Sequence, residues 1–225
     1  MLSIPLRAEI NEHTSKLIVG LIAITLAGAT SLFSDTPLQS ISASYHEGGW
    51  SRDIFVGSLF AIAAFLLSYN GKPPYQTYQM VMSKIGALAA MCVAMFPCKC
   101  VIYDEIIPHV HAISAAVMFL ILAAFCYFFF IRAWDKGHGR ARLRAYIYAI
   151  CGINIVASIL IIAIDNILGG AISSHICRLT YYGETTALVS FGIAWLSASQ
   201  TLPLLTSEDE RISLFKYEKP RQPVG

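Results

Sequence analysis

The sequence predicts an all-α fold: a polytopic bundle of six transmembrane helices with the amino and carboxyl termini both in the cytoplasm. Three observations carry this prediction. They are a composition poor in charge, six long apolar runs, and a lopsided distribution of lysine and arginine.

Of the 225 residues, 56% are hydrophobic and 13% charged, with a mean hydropathy of +0.60. A soluble domain carries about 25% charge, so these ionic groups are too few to cover a globule of this size. Lipid is the solvent such a surface requires. The net charge of +2 and the lack of a basic cluster interleaved with aromatics exclude nucleic acid as a partner.

The apolar runs fall at residues 17–33, 54–69, 80–97, 109–131, 146–164 and 181–202. At about 1.5 Å per residue each is long enough to cross, or nearly cross, a hydrocarbon core of about 30 Å. The third is the weakest, because Lys84 interrupts it, and a lysine there is expected to snorkel to the nearer interface. The runs are continuous rather than alternating and end at Asn70-Gly71 or Gly169-Gly170, which argues against strands. Residues 1–16 carry Arg7, Glu9, Glu12 and Lys16 and suit a short interfacial helix. The alternative of a cleaved signal peptide is disfavoured by the long run and the mixed charge before it. Residues 1–206 form one transmembrane domain, and 207–225 a charged, proline-containing tail expected to be mobile.

With the amino terminus inside, the inner segments hold Arg7 and Lys16; Lys72 and Lys84; Arg132, Lys136, Arg140, Arg142 and Arg144; and Arg211, Lys216, Lys219 and Arg221. The outer side holds only Arg52, Lys99 and Arg178. Thirteen cations against three is a strong positive-inside bias.

This orientation gathers the unusual polar residues on the outer face. The first outer loop contains Ser40, Ser42, His46 and Trp50, with Arg52-Asp53 opening the second helix. The second contains Cys98, Cys100, Asp104 and Glu105, then His109 and His111 at the mouth of the fourth helix. The third contains His175, Cys177 and Arg178, with Glu184 one turn into the sixth. His13 and His138 lie in basic inner segments and read as surface residues.

His46, Asp53, His111 and Glu184 could converge at the outer helix ends. Imidazole and carboxylate ligands suit zinc, and a carboxylate beside the metal could activate bound water. No HxxxH or HExxH places two ligands on one helical face. The plainer reading is that these side chains cap helices and meet headgroups; Asp53 also suits the dipole of its helix, with Arg52 as its pair. Glu184 stands apart, because it lies inside an otherwise apolar run. His109, His175, Ser42 and Arg52 are candidates for substrate contact or structural support. Asp165 and Asn166 end the fifth helix and are expected to meet water, while Asn154, deep in that helix, is expected to bond a neighbouring one.

Cys92, Cys126 and Cys151 read as reduced packing residues. Cys98 or Cys100 could bridge to Cys177 in an oxidising compartment, and the sequence does not choose the partner. Gly57, Ala61 and Ala64, and Gly86 with Ala90, are expected to mark close helix packing. The aromatic run from Phe125 to Phe130 reads as an interfacial belt.

Ser40-Ile41-Ser42-Ala43-Ser44-Tyr45-His46, Arg52-Asp53-Ile54-Phe55-Val56-Gly57 and Phe65-Leu66-Leu67-Ser68-Tyr69 carry a resemblance, as do Phe96-Pro97, His111 with Ala115, and Glu184 followed by the segment from Phe191 to Leu196. Together they resemble an uncharacterised family of six-helix bacterial membrane proteins related to the domain-of-unknown-function 998 group. That likeness implies an architecture and a bacterial inner-membrane location, without an activity. Ser42 and His46 also reproduce the Ser-x-x-x-His spacing of the alkaline ceramidase and progestin/adiponectin receptor superfamily, whose members hold zinc. That superfamily's carboxyl-terminal His-x-x-x-His pair has no counterpart here, so the similarity implies only His46 and His111 as metal ligands with Ser42 nearby.

Two functional readings stay open. One is metal-dependent hydrolysis of a lipid-like substrate, with His46, His111 and either Asp53 or Glu184 holding zinc and the other carboxylate activating water. The alternative is a non-enzymatic small-molecule binder, sensor or membrane-complex subunit. A transporter comes third, since the sequence shows neither inverted repeats nor broken helices.

Overall fold

A computed structural model describes residues 12–99, 105–137, 139–202 and 205–206. Among them every regular element is a helix: α1 (Glu12–Leu32), α2 (Ser44–Glu47), α3 (Gly49–Ser68), α4 (Gln76–Met95), α5 (Val110–Asp135), α6 (Gly139–Ile167) and α7 (Leu179–Ala198). The expected interfacial helix falls largely on residues 1–11, and the tail on 207–225; both lie outside the described residues.

Each of the six apolar runs is helical. Several helices also extend beyond their runs: α1 takes in Lys16, α4 starts at Gln76, and α6 includes Arg140, Arg142 and Arg144. Long polar side chains keep good helix propensity once outside hydrocarbon, so helix ends and apolar ends need not coincide. α1, α3, α4, α5 and α6 are long and apolar enough to cross a membrane, judged by length and composition. α7 is equally long but more polar, with Glu184, Thr185, Thr186, Ser190 and Ser197. It packs against α1, α5 and α6.

The six long helices make a closed ring. α1 packs on α3, α3 on α4, α4 on α5, α5 on α6, α6 on α7, and α7 returns to α1. Successive helices run back alongside one another, which leaves two ends. The upper end carries the N-termini of α3, α5 and α7; the lower end carries those of α1, α4 and α6. Ring closure depends on glycine. A Cβ on Gly20 would lie 2.9 Å from the Gly192 carbonyl oxygen, and one on Gly192 would lie 2.7 Å from the Gly20 carbonyl oxygen. Only residues without a Cβ let α1 and α7 approach this closely.

Some expected packing faces hold and others do not. Gly86 meets Ile121 of α5, and Ala90 is fully buried. Gly57 and Ala64 instead point outward; α3 packs through Phe55, Leu59, Ile62, Ala63 and Leu66. The aromatic run is not a uniform belt. Phe125 and Phe129, one turn apart, sit in the core with Tyr69, Tyr148 and Trp195 at centroid distances of 5.5–5.6 Å, while Tyr127 is 61% exposed.

Lys84 extends to the lower end of α3. Its Nζ donates to the Leu67 carbonyl and, at 3.1 Å, to the Tyr69 carbonyl. It thus caps the C-terminal end of α3, where a cation is favoured. Asn154 of α6 contacts Ser190 Oγ of α7 at 3.5 Å, the interhelical bond expected of it. His13 is no plain surface residue either, since its Nδ1–H donates to the Ser199 carbonyl at 2.9 Å. His138 lies outside the described residues.

Candidate functional site

A cavity of about 1030 Å³ opens at the upper end between α5, α6 and α7. Its walls follow helical spacing. α5 contributes His111, Ala112, Ala115, Ala116 and Phe119; α6 contributes Ile159, Ile162, Ala163 and Asn166; α7 contributes Thr180 and Glu184. Positions i, i+3/i+4 and i+7 share one face of a helix. Alanines at four of these positions leave the space that larger side chains would fill.

The cavity is graded along the bundle axis. Asn166, Thr180, Glu184 and His111 stand at the upper helix ends, joined by Gln39, Ser40, Ser42, Glu105 and His109 from the connecting segments. Deeper positions on α5 and α6 are alanine, isoleucine and phenylalanine. Polar at the mouth and apolar in its depth, the cavity matches a ligand with those two halves.

The segment before α2 is fastened to the start of α7 by bonds in both directions. The Tyr181 N–H donates to the Gln39 carbonyl at 3.0 Å, which satisfies one of the open N–H groups in the first turn of α7. The Arg178 Nε–H donates to the Leu38 carbonyl at 2.6 Å. In return, the Ile41 N–H donates to Glu184 Oε2 at 2.5 Å. Ser42 stands beside the Glu184 carboxylate. Ser42 is itself buried, with its Oγ 3.2 Å from that of Ser40. These bonds hold Ser42 and Glu184 side by side at the cavity mouth.

His111, in the first turn of α5, is buried, and its Nδ1 lies 2.7 Å from the Phe96 carbonyl oxygen. A carbonyl only accepts, so Nδ1 carries the proton, and a neutral ring keeps a lone pair on Nε2. His109 caps α5 with φ +65°, lines the same cavity, and donates its N–H to the Glu105 carboxylate.

Other sequence candidates are placed elsewhere. His46 lies in the short helix α2 rather than in a loop, and its Nε2–H donates to the Cys98 carbonyl at 2.8 Å. It braces the same segment that His111 holds but is not among the cavity-lining residues. Arg52 and Asp53 pair with each other at 3.2 Å on the outside of α3, 48% and 61% exposed, away from the cavity. His175 is exposed in the α6–α7 connection and does not line the cavity either. Asp165, expected to meet water, is buried and accepts the N–H groups of Ile172 and Ser173 at 2.8 and 2.9 Å, shaping that connection. Cys98 is disulfide-bonded, whereas Cys177 is a free thiol, so no bridge ties the second connection to the third through Cys177. Cys100 lies outside the described residues.

Of the expected metal ligands, the cavity therefore receives His111 and Glu184 without His46 or Asp53. Among the described residues no three His, Cys, Asp or Glu side chains stand together as a metal site. Glu105, Asn166 and Thr180 line the cavity too, although residue type and spacing do not mark them as site residues. Depth is the signal that points to them, since all three sit at the upper ends of neighbouring elements. Comparison with protein-family models, curated proteins and solved structures gave no match.

Proposed function

We propose that the chain is a six-span protein of the bacterial inner membrane whose outward-facing cavity binds an amphipathic, lipid-like molecule. The observation that carries this reading is the grading of the upper cavity, from Ser42, His111, Asn166 and Glu184 at its mouth to Ala115, Phe119, Ile159 and Ile162 in its depth. An acyl or similar apolar body would occupy the deep part. A hydroxyl, amide or amine group would meet Glu184 and Ser42.

α7 is the sixth span, shielded by its neighbours, and the lower end faces the cytoplasm. The cation distribution supports that orientation: among the described residues, Lys16, Lys72, Lys84, Arg132, Lys136, Arg140, Arg142 and Arg144 belong to the lower half, against Arg52, Lys99 and Arg178 at the upper. Mass spectrometry of organic extracts from purified protein tests the reading. A stoichiometric amphiphile should co-purify with the wild type and be depleted in a cavity-filling variant. Equal recovery from both would remove the proposal.

Hydrolysis of such a ligand is the second reading, and it rests on Ser42, His111 and Glu184 lining one cavity. Metal analysis and turnover of ester or amide lipids by the purified protein separate it from simple binding.

A further inference from the structure

The walls of the upper cavity all stop at one level. On α5 the lining positions run from His111 down to Phe119, and on α6 from Asn166 down to Ile159. At about 1.5 Å per residue, both stretches drop about 10–12 Å below the mouth. One turn further down on the same faces stand Leu122 of α5 and Ile155 of α6, and one turn below Glu184 stands Leu188 of α7. They are 1%, 0% and 4% exposed, and none of them lines the cavity. The space is therefore blind, with Phe119 and Ile159 as its floor over a close-packed core.

The top of the cavity is fixed by the same elements. Glu184 accepts the Ile41 N–H, and the Tyr181–Gln39 and Arg178–Leu38 bonds fasten the segment before Ser42 to the start of α7. Mouth and floor both belong to packed helices, so the fold sets their separation. A molecule with its polar end at Glu184 and Ser42 and its apolar chain pointing down meets both boundaries. Too long a chain must either lift the polar end off its partners or fold back on itself.

An extended chain advances about 1.2 Å per bond, since three backbone bonds span about 3.6 Å. A drop of about 12 Å thus takes about ten bonds. The surrounding lipid fills a leaflet of about 15 Å, half of a core of about 30 Å, with disordered chains whose contour is longer still. Building on the reading of this cavity as an amphiphile site, we infer that it is a ruler for chain length, in which Phe119 and Ile159 set the limit. It admits amphiphiles with apolar tails of up to about ten bonds and rejects the longer chains of bilayer lipid. Bulk lipid vastly outnumbers any minor ligand in a membrane, so a site open to the bilayer needs such a device against it.

Full-length protein in phosphatidylcholine nanodiscs, incubated with an equimolar mixture of saturated monoacylglycerols, tests the ruler. A parallel arm uses n-alkylamines, and in both the tails run from about half to about twice the ten bonds that fit. Each homologue recovered with the protein is quantified by mass spectrometry against empty discs, which cancels partitioning into lipid. Enrichment should peak at or below about ten bonds and fall at least fivefold for tails about six bonds longer. Phe119→Ala should move the peak to longer tails. Ala116→Leu, about one turn above the floor, should move it to tails about three or four bonds shorter, and it keeps the test decisive if the first variant does not fold. Enrichment that Ala115→Trp abolishes but that shows no maximum with tail length, or a peak that Ala116→Leu does not move, overturns the ruler and leaves amphiphile binding standing. No enrichment in either arm, or enrichment unchanged in Ala115→Trp, removes the binding reading and the ruler with it.

Discussion

Glu184, in the second turn of α7, accepts the backbone N–H of Ile41 at 2.5 Å, joining positions 143 residues apart in sequence. An ionisable residue in an otherwise apolar run is here a clamp on the segment that roofs the upper cavity. Glu184→Gln keeps an acceptor oxygen for Ile41, whereas Glu184→Ala leaves a part-buried N–H unsatisfied, at a cost of about 1–3 kcal/mol. Thermal unfolding in detergent should show the alanine variant clearly destabilised and the glutamine variant near wild type. Equal melting of the two would mean that the clamp contributes nothing.

Gly20 and Gly192 support a second prediction about ring closure. In Gly192→Ala the new methyl would fall 2.6 Å from Ile24 Cγ1 and 2.7 Å from the Gly20 carbonyl oxygen. Backbone cannot yield like a flexible side chain, so α1 and α7 must separate, and overpacking of this kind costs about 1–3 kcal/mol. Gly57→Ala is the control, because beyond its own stretch of helix backbone no atom lies within 4 Å of the point its new methyl would occupy. It should be neutral, or stabilising by up to about 1 kcal/mol from helix propensity. Melting temperatures of the two variants should therefore move apart.

The contrast between these glycines shows what the sequence could reveal. Apolar length fixes which segments are helical and how deep each residue lies, because hydrocarbon tolerates little else. It does not fix rotation about the helix axis. Glu184 and Asp53 both read as upper-end carboxylates, but Glu184 faces the cavity while Asp53 faces outward beside Arg52. Phe125 and Tyr127, two residues apart, likewise fall on opposite sides. At about 100° per residue, such differences depend on which neighbours a helix packs against. Ring order, set by the Gly20–Gly192 approach and the Tyr181–Gln39 bond, is tertiary information that local patterns lack.

Topology gives a third prediction. Cys177 is a free, exposed thiol at the upper end, whereas Cys98 is disulfide-bonded and Cys126 and Cys151 are buried. In intact cells a membrane-impermeant maleimide should label Cys177, and Cys177→Ser should remove that labelling. Lys136 is exposed at the lower end, so Lys136→Cys, made in the Cys177→Ser background, should react only after the membrane is permeabilised. Labelling of position 136 from outside would invert the orientation and move the upper cavity to the cytoplasm.

The last prediction concerns the cavity itself. Ala115 lies on the α5 face that lines the void, between His111 and Phe119. Ala115→Trp would project a large ring into space that is open in the wild type, so it should add bulk without forcing the ring of helices apart. Phe119→Ala works in the opposite sense: it removes a buried side chain from the deep wall and, in a packed interior, costs about 3–5 kcal/mol. If an amphiphile fills the cavity, Ala115→Trp should lose the co-purifying molecule while keeping its melting temperature in ligand-free detergent. Phe119→Ala should melt lower and regain stability when a longer-chain amphiphile is added. If the cavity is only a packing gap, Ala115→Trp should raise the melting temperature with no change in extractable lipid. Because occupancy and stability move independently in the two variants, the pair separates a ligand site from a defect.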